Sequence, residues 1–252
     1  MKLYISSHQW FDTNKGIDIS LPLSSNKGAT AWYVDPVKIW PVTGEGFIGK
    51  VSEGGSTNFN NIQLNPHGNG THTETVGHIS EAFYSINENL KTFFFTAELV
   101  TITPVVFFNK GWKENDRIID LALIQAATEN IEKIEALIIR TEPNDLSKMN
   151  LNYSNTNPPY ISEDAMAYIV SLGVQHLLID LPSVDRENDH GELLAHKCFW
   201  DYPNNIQAHK TISELIYVPT NIIDGTYILN IQIISLENDA SPSKPILYPI
   251  QT

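Results

Sequence analysis

The sequence predicts an α/β fold built as one domain, and three observations carry that expectation. Residues 135–141 and 174–179 are apolar runs of strand length, and between them residues 162–172 have a helix opening at Ser162-Glu163-Asp164 and a stop at Gly173. Strand, helix and strand in that order form a βαβ unit with parallel pairing. Strand-like and helix-like segments are spread along the whole chain with no linker-like stretch between them. Finally, 252 residues at 42% hydrophobic content suffice for one large buried core.

Taken in order, residues 17–22 (Ile-Asp-Ile-Ser-Leu-Pro) alternate as a short strand that ends at proline. Residues 31–41 are aromatic and turn-rich and read as a packed loop. Trp32, Tyr33 and Trp40 are the candidates there for a substrate wall, because such rings offer apolar faces with polar tips. Residues 59–64 lead into a histidine-rich stretch. Residues 92–102, rich in aromatic and β-branched side chains, predict a buried strand. Apolar spacing over 118–131 predicts a helix, with Asp120 near its start. Residues 144–159 are a polar loop with two prolines. Residues 227–236 are expected to be the last long strand. No internal repeat or low-complexity segment interrupts this pattern.

Charge and composition exclude several classes. A net charge of −13 with no basic patch argues against a nucleic-acid partner. One cysteine, Cys198, excludes an intrachain disulfide framework. The first residues lack the apolar stretch of a secretory signal, and no run approaches the roughly 20 apolar residues that span a bilayer. The expectation is a cytoplasmic protein with no membrane partner.

Chemistry concentrates in residues 65–78, which hold three of the eight histidines. In an extended segment positions two apart share a face, so His72, Glu74, Val76 and His78 look one way and Thr71, Thr73 and Thr75 the other. Imidazole and carboxylate two apart make a divalent-metal half-site. His67 precedes a Gly-Asn-Gly turn that can fold it back to the same ion. Imidazole and carboxylate without thiolate suit Zn, Mn or Fe. Fully extended, His78 would lie about 13 Å from Glu74 at ~3.3 Å per residue, so it reaches the same ion only if the segment bends, as Gly77 permits. Downstream, residues 180–185 follow the strand ending at Ile179, where α/β proteins place their sites. His190, His196, His209 and Glu214 are all available to complete the metal site, and spacing does not choose among them.

The pattern Gly70-Thr71-His72-x-Glu74-x-Val76-x-His78 resembles the His-x-Gly-Thr-His-x-Asp-x-Pro-x-His signature of the cyclase family of metal-dependent hydrolases, the family of arylformamidases and isatin hydrolases. The resemblance runs along most of the chain. It includes Asp18-Ile19-Ser20-x-Pro22-Leu23, Ile138-Ile139-Arg140-Thr141, Ile161-Ser162-x-x-Ala165, Ile179-Asp180-x-x-Ser183-x-Asp185, His196, and Ile212-Ser213-Glu214-Leu215. Three departures stand out. Glu74 replaces aspartate, Val76 replaces proline, and Gly68-Asn69 puts one extra residue between His67 and Gly70. The stretch from His196 to Glu214 is also longer than usual, with residues 200–204 as the insert.

The resemblance implies a swivelling β/β/α arrangement with a mixed β-core and flanking helices, in a homodimer or larger homo-oligomer. It implies hydrolysis of an amide-type bond in a small molecule (a formamide, a lactam or an aryl amide) by metal-activated water, with Zn or Mn as the ion. The ligands it implies are His67, His72, Glu74, His196 and Glu214. His78 takes the acid–base role, and Glu214 helps to orient the water. The alternative is a non-catalytic metal- or small-molecule-binding protein of the same fold.

Overall fold

The computed structural model describes residues 1–106, 116–131 and 133–252. Eight strands carry the frame: β1 (Ile17–Asp18), β2 (His72–Glu74), β3 (Phe94–Ile102), β4 (Ala136–Thr141), β5 (His176–Ile179), β6 (Thr211–Glu214), β7 (Gly225–Ile233) and β8 (Ala240–Pro249). Among the described residues the α-helices are α1 (Ile86–Asn89), α2 (Leu121–Ala127), α3 (Glu163–Ser171) and α4 (Leu194–Trp200). The sheet order is β7-β3-β4-β5-β6-β2-β8-β1. Because β8 also pairs with β7, seven strands close into a barrel with β1 attached outside the ring.

The barrel is mixed. β3, β4, β5 and β6 run parallel, joined by crossovers through α2, α3 and α4. The predicted βαβ unit is β4-α3-β5. β2, β7 and β8 close the ring through antiparallel pairs. β4 explains why the strands read as continuous apolar runs. Ala136 and Ile138 face the barrel interior with Leu99, Leu178, Leu229 and Leu247, while Leu137 and Ile139 face the helices with Ile124, Met166, Ile169 and Phe199. Both faces are buried, so alternation in hydrophobicity disappears.

The structure corrects several boundaries. The first strand shrinks to β1. The helix expected over 118–131 is α2 alone. Arg117–Ile119 is a strand pairing with Tyr160–Ile161, as its β-branched isoleucines favour, and Asp120 caps α2 by accepting from Leu123 N at 2.9 Å. Ser162 precedes α3, but its hydroxyl donates to Asp164 instead of capping a backbone amide. A further strand, β8, follows the one expected to be last, and it closes the barrel. No helix of the described residues is long and apolar enough to cross a membrane.

Candidate metal centre and its pocket

β2 and β6 set the centre by register. His72 stands opposite Glu214 and Glu74 opposite Ile212, so cross-strand partners place His72, Glu74 and Glu214 on one face. The intervening Thr73 and Ser213 turn to the other face and hydrogen-bond at 2.6 Å. Ile212 belongs to the helix-side core, so the carboxylates lie outside the barrel wall, beneath α4. Glu214 Oε1 accepts Val184 N at 3.0 Å, and Glu214 Oε2 lies 3.4 Å from His72 Nε2.

His67 reaches the same place despite the extra residue before Gly70. The stretch Asn65 to Asn69 closes on itself: Asn69 N donates to Asn65 O at 3.0 Å, and Asn65 Oδ1 accepts His67 N at 2.9 Å and Gly68 N at 3.0 Å. Gly68 lies so close to the next loop that an added Cβ would sit 2.5 Å from Val34 Cγ2, and Gly70, at φ +67°, turns the chain into β2. His67 Nδ1 is 2.9 Å from Glu74 Oε2, and His67 Nε2 is 2.7 Å from Asp239 Oδ2.

His196 enters from α4. Asp185 tethers the start of this helix by accepting Ala195 N at 2.8 Å, His196 N at 3.1 Å and His196 Nδ1 at 2.6 Å. That leaves His196 Nε2 facing inward, 3.2 Å from Glu74 Oε1 and 3.8 Å from Glu214 Oε1.

The period-two face does not continue to His78. The strand stops at Glu74, Val76–His78 forms a 3-10 turn, and Thr75 accepts Gly77 N at 3.2 Å as its cap. Val76 enters the helix-side core, and His78 swings back until its Nδ1 is 3.8 Å from both Glu74 Oε2 and Asp239 Oδ2. Its ring stacks on His67 with centroids 4.2 Å apart.

These contacts set the charges of the metal-free protein. Burial opposes a charge on His67, but the hydrogen bonds to Asp239 and Glu74 outweigh it and raise its pKa to about 10. His196 is likewise buried, yet its bonds to Asp185 and Glu74 hold it well above the usual histidine value. Glu74 is fully buried, but the surrounding histidines keep it well below the usual carboxylate range. Burial and the neighbouring Glu74 push Glu214 up. Burial, reinforced by His196 and His67 and opposed by Glu74, lowers His78 to about 4.

The donor set fits a divalent ion. Three imidazoles each turn one nitrogen toward Glu74 or Glu214 and the other toward an acceptor outside: His72 Nδ1 to Gly70 O at 3.2 Å, His196 Nδ1 to Asp185, and His67 Nε2 to Asp239. That outer hydrogen bond is what fixes the tautomer of a metal-binding histidine. His72 Nε2 is buried with no hydrogen-bond partner, which costs about 1–3 kcal/mol unless a ligand takes it up. Ligand atoms of His72, Glu74 and Glu214 lie within 4.8 Å of one another, as do those of His67, Glu74 and His78, so Glu74 is common to both groups.

Proton release on metal uptake is the expected consequence. His67 and His196 are charged at neutral pH in the metal-free protein, so both must lose a proton before their inward nitrogens can bind an ion. Calorimetry of Zn²⁺ binding in buffers of different ionisation enthalpy should therefore read about two protons released per chain near pH 7, with affinity rising as pH rises. Release of none would remove both histidines from the ligand set.

A cavity of about 410 Å³ opens over the centre, with His67, His78, His196 and Glu214 at its floor and Trp32 in its wall. Trp32 and Tyr33 are the middle of a turn in which Val34 N donates to Ala31 O at 3.3 Å, and both have left-handed φ, 57° and 59°. Bulky residues rarely adopt that geometry, which costs of order 1–3 kcal/mol each. It is held here by Tyr33 N donating to Ser154 Oγ at 2.9 Å and by the Tyr33 hydroxyl, which reaches Glu187 Oε1 at 3.2 Å. Tyr33 thus touches the cavity through Glu187 and is itself largely exposed. Trp40 lies in the strand Lys38–Pro41 and does not line the cavity. His190 is exposed and lines a neighbouring cavity, and His209 pairs with Gln175 at 2.6 Å, away from the centre. Asp239 was not expected from sequence. It lies 165 residues beyond Glu74 in no recognisable motif, and the pairing of β8 with β2 brings it in.

The chain is 25% identical over 250 residues to kynurenine formamidase of Bacillus cereus, covering 94% of this chain and 99% of that one. It is 26% identical over 250 residues to kynurenine formamidase of Bacillus anthracis, with the same coverage. The crystal structure of an isatin hydrolase bound to the product analogue thioisatinate superposes with a TM-score of 0.65 at 15% identity, covering 94% of this chain and 93% of that chain. The Cyclase family model, described as "Putative cyclase", matches residues 17–186, more than half of the sequence. On that match, the chain belongs to the Cyclase family.

Proposed function

We propose that this protein is a metal-dependent hydrolase of an amide-type bond in a small, non-peptide molecule. The observation that carries the reading is the convergence of His67, His72 and His196 on Glu74 and Glu214, each imidazole held from outside by Gly70 O, Asp185 or Asp239. The reaction class comes from relatives named kynurenine formamidase and from the fold shared with isatin hydrolase. His67, His72, Glu74, His196 and Glu214 would hold the ion, and three imidazoles with carboxylates and no thiolate favour Zn or Mn. Such an ion supplies Lewis acidity toward the amide carbonyl and a water.

The chain's own residues do the rest. Glu214 is fixed by Val184 N, which donates to its Oε1, so it can orient the attacking water. His78 stands at the cavity floor with about a third of its side chain exposed (33%) and no short hydrogen bond on its ring. It can take a proton from the nucleophile and return it to the leaving nitrogen, with Glu74 and Asp239 beside Nδ1 to stabilise the imidazolium between the two transfers. Trp32 offers the flat wall against which an aryl ring would pack.

A single functional unit over residues 1–252, a homodimer or larger homo-oligomer, and a cytoplasmic location without membrane or nucleic-acid partners belong to the same proposal. They rest on the resemblance and on composition. The test is hydrolysis of formanilides and of lactams such as isatin by the Zn²⁺- and Mn²⁺-loaded protein. Turnover that chelator removes and added metal restores is the expected result. Metal binding without turnover of any amide would favour a non-catalytic binding protein.

A further inference from the structure

A second cavity, of about 200 Å³, opens at the C-terminal ends of β4 and β5, the end of a parallel sheet at which ligands bind. Thr141 ends β4, Leu181 follows β5, and the cavity shares no lining residue with the one over the metal centre. Tyr153 lines it and is only 5% exposed. Its ring packs with Leu21, Ala31 and Leu215, and its backbone is spent on Thr30 O at 2.8 Å and Thr156 N at 3.1 Å. Its hydroxyl has no hydrogen-bond partner among the described residues, yet it keeps access to open space. Burial and the Asp180 carboxylate push its pKa up, so it stays a donor. A buried tyrosine hydroxyl is ordinarily hydrogen-bonded, so this one is available to an acceptor on a ligand. Charged groups surround it. Lys148 is spent: its ammonium donates to Thr141 O at 2.6 Å and to Thr141 Oγ1 and Asp180 Oδ2, each at 2.9 Å, and buried Asp180 neutralises it. Arg117 has no acceptor among the described residues. Asp145 makes no side-chain cap on the 3-10 turn that it precedes, and Glu142 commits one oxygen, Oε2, to Asn144 N at 2.9 Å. The free charges are therefore one cation and two carboxylates.

We propose that this cavity binds a small zwitterion, an α-amino acid with an apolar side chain, at a site separate from the metal centre. Arg117 and the Tyr153 hydroxyl take the carboxylate, a planar acceptor that suits a guanidinium. Asp145 and the free oxygen of Glu142 take the ammonium. A plain carboxylate would stand beside two unpaired acids, and a plain amine would leave Arg117 and Tyr153 without an acceptor, so a ligand that carries both charges fits best. Pro143, Pro158, Pro159 and Leu151 give the side chain an apolar wall. The volume has room for roughly seven waters at ~30 Å³ each, below the ~300–1,000 Å³ of drug-sized sites, which restricts the occupant to a small metabolite. The inference goes beyond the amidase reading and does not depend on it.

Calorimetric titration of the full-length protein tests this with three probes: L-leucine, L-leucinamide, which lacks the carboxylate, and 4-methylpentanoate, which lacks the ammonium. L-Leucine should bind with a Kd of about 1 mM or tighter, within the range of metabolite-level affinities, and about tenfold or more tighter than either analogue. Tyr153→Phe removes the hydroxyl and keeps the ring, and Arg117→Gln removes a charge at an exposed position. Each should weaken L-leucine by about tenfold. Amino acids also ligate metal ions, so the titration is repeated in excess chelator, where L-leucine binding should persist. No saturable binding of L-leucine would overturn the proposal, as would equal affinity for 4-methylpentanoate or for L-leucinamide. Affinity unchanged in both variants, or binding that chelator abolishes, would move the ligand elsewhere and overturn it equally. The amidase reading fails separately, when no amide is hydrolysed, and that result leaves the titration as stated.

Discussion

Glu74→Gln protein should purify with little or no metal and with no measurable amide hydrolysis. Glu74 is the carboxylate that both ligand groups share, and it touches His67 at 2.9 Å and His196 at 3.2 Å. Protein sites with four ligands bind Zn²⁺ with about 10–16 kcal/mol, so one ligand's share is roughly 3–4 kcal/mol, or about 10²–10³-fold in affinity. His72→Ala should do the same through the other end of β2. Loss of fold must be told apart from loss of metal. Removing one partner of a buried ion pair costs about 3–5 kcal/mol, because the other partner is left charged and unpaired. In the metal-free wild type the folded pKa of His67 is about 10 against 6.5 for the free side chain. The stability this contributes is fully present below 6.5 and is lost as pH rises through about 10. Glu74→Gln should shrink that window, which thermal melts of the chelator-treated protein between pH 6 and about 10 would detect. Full metal content in a folded Glu74→Gln protein would break the assignment.

His78→Ala should give a different signature. The expected loss is about 10²–10⁴ in kcat with metal content near normal, the usual contribution of a general acid–base. The distinction follows from geometry. His78 is bent toward the centre by the Val76–His78 turn, yet its Nδ1 stays 3.8 Å from its nearest carboxylates, whereas His67 and His196 lie within hydrogen-bond distance of theirs. It also has no outer acceptor fixing one tautomer, unlike His67, His72 and His196. A ring that must gain and lose a proton is better left without one. Metal lost in proportion to activity would make His78 a ligand through its grouping with His67 and Glu74. Unchanged turnover would leave it a structural residue stacked on His67.

The parts of this site visible in sequence are those governed by local periodicity. His72 and Glu74 share a face because a strand alternates, and β2 keeps that alternation for as long as it lasts. The phase was lost at Val76, where a 3-10 turn replaces extension. Gly77 signalled a bend, but not that Val76 would be drawn into the core. His196 and Glu214 could not be chosen over His190 and His209 by spacing, since β6 pairing with β2 and the Asp185 tether on α4 are tertiary facts. The resemblance of the surrounding segments selected them. Asp239 carries no signal of its own, because its place depends on β8, a strand that its sequence does not announce. The sequence of β8 contains Pro242 and Pro245, which argue against a central strand. They are accommodated because β8 changes partner along its length, pairing with β2 over Ala240 to Pro242 and with β7 from Ser243 onward.

Whether His67, His72, Glu74, His196 and Glu214 hold a divalent metal is decided by elemental analysis of protein purified without an affinity tag, alongside His72→Ala prepared in the same way. Zn or Mn is expected in the wild type at about one to two ions per chain, the range set by single- and two-metal hydrolytic sites, with a large loss in the variant. Wild-type protein that holds no transition metal and takes none up from Zn²⁺ or Mn²⁺ solution would contradict that assignment.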